Sequence, residues 1–246
     1  MSGEAATGEA SAPVGEARSF ADLHVHTSAS YDSLSRPADV LRAAVARGLT
    51  HLAITDHETL DGALRAREAS PAGLTVIVGQ EVRTSGGDMI GLYLSRPVAP
   101  GRSPQETAAA IHEQGGLVGL PHPFDRYRGS GGWGRTEAEL AGLAEVLDFV
   151  EGWNARIMLG DGNVRAAEFA LAHGLPAVAT SDAHTVMEVG VAYTILPGSP
   201  EDGAAMRDAL SGARLVTGRA SRLVRAGMPL AKLVQRLRGV RRLSLA

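Results

Sequence analysis

The chain has 246 residues, 44% of them hydrophobic and 21% charged, with a net charge of −3 and no cysteine. That length accommodates one large domain or two small ones with well-buried cores, and the composition is that of a globular protein. The lack of cysteine excludes disulfides, thiolate metal ligands and cysteine nucleophiles, so any metal must be held by imidazole and carboxylate.

Residues 1–19 combine small residues with scattered Glu and read as a disordered leader. They lack the basic and apolar regions of a secretory signal, and no apolar run approaches the roughly 20 residues of a membrane span. A cytoplasmic protein with no membrane partner is the expectation. DLHVHT, residues 22–27, then reads as a strand. Pro37 opens a helix with Ser35 as its expected N-cap and Gly48 as its stop. THLAIT is the next strand, the stretch from Glu58 to about Ala69 is helical, and LTVIVG is a fully apolar strand. EVRTSGGDMIGLYL reads as a hairpin around Gly86 and Gly87. Ser103 and Glu106 have capping-box spacing around Pro104, which predicts a helix before the strand GLVGL. Thr136 and Glu139 repeat that scheme before DFVEGW. Residues 163–173 are helical before PAVAT, and a helix over about 200–210 precedes RLVT. The alternation predicts parallel strands joined by crossover helices, in a barrel or a doubly wound sheet.

Residues 219–246 carry eight basic residues and no acid, so residues 1–218 hold 16 basic against 27 acidic ones. Within this tail Leu230, Leu233, Val234, Leu237, Val240 and Leu243 follow helical spacing. The expectation is a basic amphipathic helix packed on the main domain with its arginines outward. The division is thus a leader (1–19), a main domain (20–218) and a helical tail (219–246).

The polar residues of the strands fall at one end. His24 and His26 end the first strand; Thr55, Asp56 and His57 follow the second; Glu81 follows the third. His122 follows GLVGLP, Glu151 and Asn154 follow LDFV, and Ser181, Asp182 and His184 follow PAVAT. The C-terminal strand ends are where barrels and open α/β sheets build their sites. In HVH and DAH, residues two apart share a face roughly 6.5 to 7 Å apart, so both can reach one ion or two adjacent ions. Imidazoles and carboxylates without sulfur suit Zn²⁺, Mn²⁺ or Fe²⁺. Arg126 and Arg128 in the loop past His122, and Arg156 after Asn154, are candidate phosphate clamps, because guanidinium matches phosphate bidentately. Residues 129–134, GSGGWG, read either as a lid carrying Trp133 or simply as a mobile loop. His51, His112 and His173 start a strand or sit late in helices and are left to structural roles.

DLHVHTSASYDS, AITDHETLDG, GQE, PHP and TSDAH occur in an order that resembles the polymerase-and-histidinol-phosphatase (PHP) family of metal-dependent phosphoesterases, over residues 21–190. The resemblance implies an α/β fold, a distorted (βα)7 barrel, with two or three divalent metal ions at its C-terminal face. His24, His26, Glu81 and Asp182 would surround the first ion. Glu81 would bridge to a second ion that also takes His122, and Asp32, His57 and His184 would hold a third. Family members supply a further His or Cys to the second ion; here the corresponding interval holds only His173, so Glu151, Asn154 or water is the substitute. Asp32 stands where other members use His, which favours a harder ion such as Mn²⁺ or Mg²⁺. The chain's single lysine, Lys232, lies in the tail, so no carboxylated lysine can bridge the ions as in amidohydrolase-like barrels.

The activity so implied is hydrolysis of a phosphate monoester on a small molecule, a nucleotide or a sugar or amino-alcohol phosphate, by metal-activated hydroxide. Glu81 acts there as the bridge and Asp182 or His184 as the proton relay to the leaving group. An alternative is a phosphodiesterase or exonuclease acting on nucleic-acid ends, with the basic tail contributing phosphate contacts. A non-catalytic metal-binding module is the third reading, disfavoured by eight intact ligands.

Overall fold

The computed structural model describes residues 17–126, 128, 130–132, 134–221, 224 and 227–241. Most of the expected leader, Trp133 of the glycine-rich loop and the last five residues lie outside the described residues. Nine short strands form one sheet: β1 (Arg18–Val25), β2 (His51–Ile54), β3 (Thr75–Thr84), β4 (Gly87–Leu92), β5 (Leu117–Leu120), β6 (Phe149–Asn154), β7 (Ala177–Thr180), β8 (Tyr193–Pro197) and β9 (Arg214–Val216). Their order is β7-β6-β5-β4-β3-β2-β1-β8-β9. The helices are α1 (Pro37–Ala46), α2 (Asp61–Glu68), α3 (Pro104–His112), α4 (Glu137–Ala144), α5 (Gly162–Ala172), α6 (Gly203–Leu210) and α7 (Met228–Leu237). No helix among the described residues is long and apolar enough to cross a membrane.

β1, β2 and β3 run parallel, as do β5, β6 and β7. β4 is antiparallel to β3, because the tight turn at Gly86 and Gly87 can join only antiparallel strands, and it is antiparallel to β5 as well, which follows it through α3. β8, which the sequence pattern did not single out, returns antiparallel along β1 and carries β9 on its far edge. Five residues with alternating half-burial give too weak a signal to stand apart from the surrounding loop.

Leu23, Ile77, Ile90, Leu117, Phe149 and Val178, from six different strands, meet in one buried cluster with Met206 and Leu210 of α6. Six strands can share one cluster only if the sheet curls around it, so the architecture is a nearly closed barrel. The seam lies between β1 and the segment after β7, where Val25 pairs with Ala183 and His26 N donates to Ala183 O at 2.8 Å. Asp22 fastens it. Its fully buried carboxylate accepts from Ser181 N (3.0 Å), Ser181 Oγ (2.5 Å) and Gly190 N (2.9 Å). Burial pushes the Asp22 carboxyl up to about 6, and the three donors pull in the opposite direction. Farther along, Thr194 Oγ1 of β8 accepts from Ala179 N and donates to Ala179 O of β7, replacing ladder bonds with a side chain.

Local signals hold at several helix starts. The capping boxes of Ser103 with Glu106 and of Thr136 with Glu139 are both formed. α1 differs: Arg36 is its N-cap without a side-chain bond, and the Ser35 hydroxyl donates instead to His184 O (3.2 Å), beside Ser33 Oγ (2.8 Å). Asp56 accepts from Thr27 N and Thr27 Oγ1, both at 2.6 Å, and fixes the loop after β1 against the end of β2. A methyl group on Gly62 would collide with that carboxylate and hydroxyl, which explains the glycine at the start of α2.

α7 meets the main domain by a contact other than the expected one. Gln235 is 1% exposed, and its amide nitrogen lies within 2.7–2.8 Å of Ser28 O, Ser30 O and Ser33 O in the loop after β1. Leu230, Leu233 and Leu237 are instead 62%, 55% and 80% exposed. Apolar spacing shows that a helix is amphipathic; here three backbone carbonyls with no strand partner draw in Gln235, while Lys232, Arg236 and Arg238 stay exposed as expected.

Asp22→Asn replaces one accepting oxygen by an amide NH₂, which then faces either Ser181 N or the pair Ser181 Oγ and Gly190 N. It should cost about 1–3 kcal/mol, the penalty for a buried polar group left unmatched, read as a lower urea midpoint of the metal-free protein.

Candidate metal centre

The barrel brings the strand ends together, and with them all eight residues singled out as ligands. Two compact sets of donors form, one of His24, His26 and Glu81 and one of His26, Asp32, His57 and His184. Donor atoms about 2.1 Å from a tetrahedral ion lie about 3.4 Å from each other. Glu81 Oε2 is 3.2 Å from His24 Nε2 and 3.3 Å from His26 Nε2. Asp182 Oδ1 is 3.7 and 3.6 Å from the same two nitrogens. Asp32 Oδ2 is 3.3 Å from His184 Nε2 and 3.6 Å from His57 Nε2. The other oxygen of Glu81, Oε1, is 3.2 Å from His122 Nε2. Glu81 therefore faces His24, His26 and His57 with one oxygen and His122 with the other, the geometry a bridging carboxylate requires. Asp32 Oδ1 and Asp182 Oδ1 are buried with no hydrogen-bond partner, as an oxygen reserved for a cation would be. The donor set and its spacing fit divalent ions.

The ring orientations are set from behind. His24 Nδ1 contacts Glu151 Oε1 (2.6 Å), His26 Nδ1 contacts Ser30 Oγ (3.2 Å), His122 Nδ1 contacts Ser130 Oγ (3.3 Å) and His184 Nδ1 contacts Asp182 O (2.9 Å). In each ring Nε2 is left for the centre, the arrangement that fixes tautomer and aim in metal-binding histidines. Glu151 is occupied on both oxygens, by His24 and Thr180 on one and by His122 N and Asn154 Nδ2 on the other. Asn154 also donates to Asp182 Oδ2 (3.0 Å). Glu151 and Asn154 thus prop the donors from outside and do not take the missing position beside His122. His122 and Asp182 adopt positive φ (31° and 51°), and His122 N is held there by Glu151 Oε2 at 2.7 Å. Strain of this kind persists where the surroundings over-determine a functional side chain.

The charges are mutually arranged. Burial opposes ionisation of Glu81, Asp32 and Asp182, yet the imidazoles around them, with Arg128 beside Asp182, hold all three well below the usual carboxylate range. Burial likewise opposes charge on His57, but Glu81 and Asp32 lift it to about 9. His184 goes the other way, pushed down to about 3 by burial and by the Arg156 guanidinium. With Nδ1 against Asp182 O, His184 Nε2 faces Asp32 Oδ2 at 3.3 Å.

Of the expected phosphate clamps, Arg128 and Arg156 line the cleft over the centre, whereas Arg126 is exposed and does not. Arg128 Nη1 contacts Asp182 Oδ2, and its Nε bonds Asp125 at 2.8 Å. Arg156 lies 3.6 Å from Glu188, which also accepts from the backbone N–H of His184 (3.1 Å) and Thr185 (3.0 Å). Sequence reasoning passed over Glu188, although Thr185 and Glu188 have capping-box spacing; it had no signal for Ser30 or Asp88, which also reach the site.

Imidazoles and carboxylates converging at the C-terminal ends of barrel strands mark a metal-dependent hydrolase. The PHP domain model matches residues 22–126 and a PHP-associated model matches residues 160–215. An uncharacterized protein of Methanocaldococcus jannaschii is 38% identical over 115 residues, 42% of this chain and 67% of that protein. The error-prone DNA polymerase of Cutibacterium acnes is 31% identical over 213 residues, 70% of this chain but only 19% of the polymerase. A two-domain protein of Bacteroides vulgatus containing a predicted PHP-like metal-dependent phosphoesterase superposes with a TM-score of 0.69 at 18% identity, covering 88% of this chain and 70% of that one. The lesion-specific endonuclease of Pyrococcus furiosus gives a TM-score of 0.60 at 15% identity, over 93% and 72% of the two chains. The chain belongs to the PHP family of metal-dependent phosphoesterases, hydrolases of phosphoric ester bonds.

Because the folded value of His57 (about 9) lies above its ordinary 6.5, its contribution to stability is full below pH 6.5 and is lost as pH rises through 9. A metal ion must displace that proton. The affinity for Mn²⁺ or Zn²⁺ of the set containing His57 should therefore rise about tenfold per pH unit between pH 6.5 and 9, measured by competition with a chromogenic chelator. Chelation with EDTA should lower the melting temperature, and His26→Ala, which weakens both sets, should abolish the metal-dependent part of that shift.

Proposed function

We propose that the protein hydrolyses a phosphate monoester on a small molecule, such as a nucleotide or a sugar or amino-alcohol phosphate. The observation that supports this most is the cleft over the donors, about 390 Å³, which places Arg128 and Arg156 on its wall and Met228, Pro229 and Lys232 of α7 along its rim. Its size is that of a small-molecule site. Two or three divalent ions, Mn²⁺, Zn²⁺ or Fe²⁺ with Mg²⁺ also admitted, would be held by His24, His26, Asp32, His57, Glu81, His122, Asp182 and His184. When bound they supply Lewis-acid neutralisation of phosphoryl charge and acidify a coordinated water.

The chain's own residues do the positioning. Glu81 spaces the two imidazole groups by offering each a separate oxygen. Asn154 and Arg128 fix Asp182 Oδ2, leaving Oδ1 turned to the centre. Arg128 and Arg156 present guanidinium groups to phosphoryl oxygens, which they match in planar, charge-assisted geometry. His184 Nε2, 3.3 Å from Asp32 Oδ2, and the unpartnered Asp182 Oδ1 would serve as donors to an ion, with His184 Nδ1 held by Asp182 O.

A second reading, cleavage of nucleic-acid ends, is supported by the similarity to an error-prone DNA polymerase and to the fold of a lesion-specific endonuclease. The two separate on a panel of p-nitrophenyl phosphate, nucleoside monophosphates, bis-p-nitrophenyl phosphate and short oligonucleotides with Mn²⁺. Monoesters should be turned over with kcat/KM about tenfold or more above the diesters; oligonucleotide cleavage alone would replace the first reading with the second. Arg128→Met should lower kcat/KM about 10- to 100-fold, the loss of one or two charge-assisted hydrogen bonds, with metal stoichiometry unchanged by elemental analysis.

A further inference from the structure

The leucines of α7 form a crest that the described residues leave uncovered. Leu230, Leu233 and Leu237 are each more than half exposed, and at about 3.6 residues per turn they share one side of the helix. Gln235, which anchors α7, lies on the opposite side. Arg236 and Arg238 are exposed on the two flanks, one to each side of the crest. The apolar surface continues beyond the helix. A groove beside the first turn of α7 is lined by Leu34, Val186, Met228 and Ala231, and Leu34, Val186 and Met187 are exposed. The two acids of that groove are engaged: Asp32 faces His57 and His184, and Asp39 is paired with Arg42. Arg47 bonds the carbonyl of Met187 at 2.9 Å, which places a further guanidinium at its edge. Apolar residues scattered singly over a surface need no explanation; a leucine crest joined to further apolar surface and bordered by cations marks a contact.

We propose that α7 docks on an anionic lipid surface, its leucines entering the headgroup boundary and its arginines meeting lipid phosphates. The occupant follows from charge. Residues 219–246 hold eight basic residues and no acid, so two such crests face to face would bring like charges together. Nucleic acid would engage the arginines and leave the leucines in water. An anionic bilayer satisfies both at once. Residues 1–218, with 16 basic against 27 acidic residues, are repelled by the same surface, so the protein settles with its α7 face towards the lipid. Leucines packed on the main domain imply no membrane partner; leucines turned outward imply one. The 10 residues of α7 rise only about 15 Å, so the helix lies in the interface and does not span it. The mouth of the cleft, rimmed by Met228, Pro229 and Lys232, is then held beside the lipid.

The test is co-sedimentation of the full chain with vesicles of phosphatidylcholine, with or without phosphatidylglycerol. The chain should bind the mixed vesicles about tenfold or more tightly than pure phosphatidylcholine, and its affinity should fall as salt rises. Leu233→Ser combined with Leu237→Ser should weaken binding to the mixed vesicles about tenfold or more, and Arg236→Gln about fivefold. Both changes fall on exposed positions, so the melting temperature should stay the same. No binding to the mixed vesicles overturns the proposal. Binding that the double leucine variant retains in full overturns it too, since the arginines alone would then account for the adsorption. A second measurement reads insertion directly. In a Leu237→Trp variant the added fluorescence, taken relative to the unaltered chain, should shift to the blue on the mixed vesicles and be quenched by lipids brominated on their acyl chains. Unquenched fluorescence would place the crest outside the bilayer and refute insertion. A mass in light scattering that doubles with concentration, reverts in the double leucine variant and comes without vesicle binding would assign the crest to a second copy in place of lipid. None of these readouts requires turnover, so they stand or fall apart from the phosphatase reading.

Discussion

The Asp22 carboxylate, buried at the seam of the barrel, is the contact on which the rest of the site depends. It sits two residues before His24 and grips Ser181, the residue before Asp182. The seam and the site are therefore the same place. Every pairing of His24 and His26 with Asp182, and of Asp32 with His184, crosses it. Three donors on one buried carboxylate are a stronger and more directional tie than the few ladder bonds available where the sheet almost closes.

Packing five imidazoles and three carboxylates into one pocket creates a second problem, which is aim. An imidazole has two nitrogens, and a ring serves a centre only if one of them is held pointing inward, as Nε2 is in four of the five rings. Glu151, Ser30, Ser130 and the carbonyl of Asp182 meet this by occupying Nδ1. Glu151 does most of it: one side chain orients His24, holds His122 N in its positive-φ turn and receives Thr180 and Asn154. A carboxylate used on both oxygens in this way is a support and has no lone pair well placed for an ion.

The tail illustrates how polar satisfaction can override apolar pattern. The loop after β1 exposes carbonyls that no strand pairs, and Gln235 meets three of them. That requirement turns the leucines of α7 outward and lays Met228, Pro229 and Lys232 along the cleft. A helix anchored beside the site by one buried glutamine becomes part of the cleft's wall.

Short-range physics was readable from the residues. Period and length gave the parallel strands and most helices, capping-box spacing gave the starts of α3 and α4, and i,i+2 histidines at strand ends gave the ligand types. These follow from backbone geometry within a few positions of one residue. The seam, the strand β8, the role of Glu151 and the docked face of α7 did not, because each depends on partners far away in the chain. Glu151 and Glu81 are both carboxylates at the end of a strand; one props a ring and the other faces the centre only because of where the closed barrel puts their neighbours. The sequence by itself determined which chemical groups would meet. The tertiary structure decided which of them face the centre and which hold the others in place, since that depends on distances the chain acquires only once the barrel has closed.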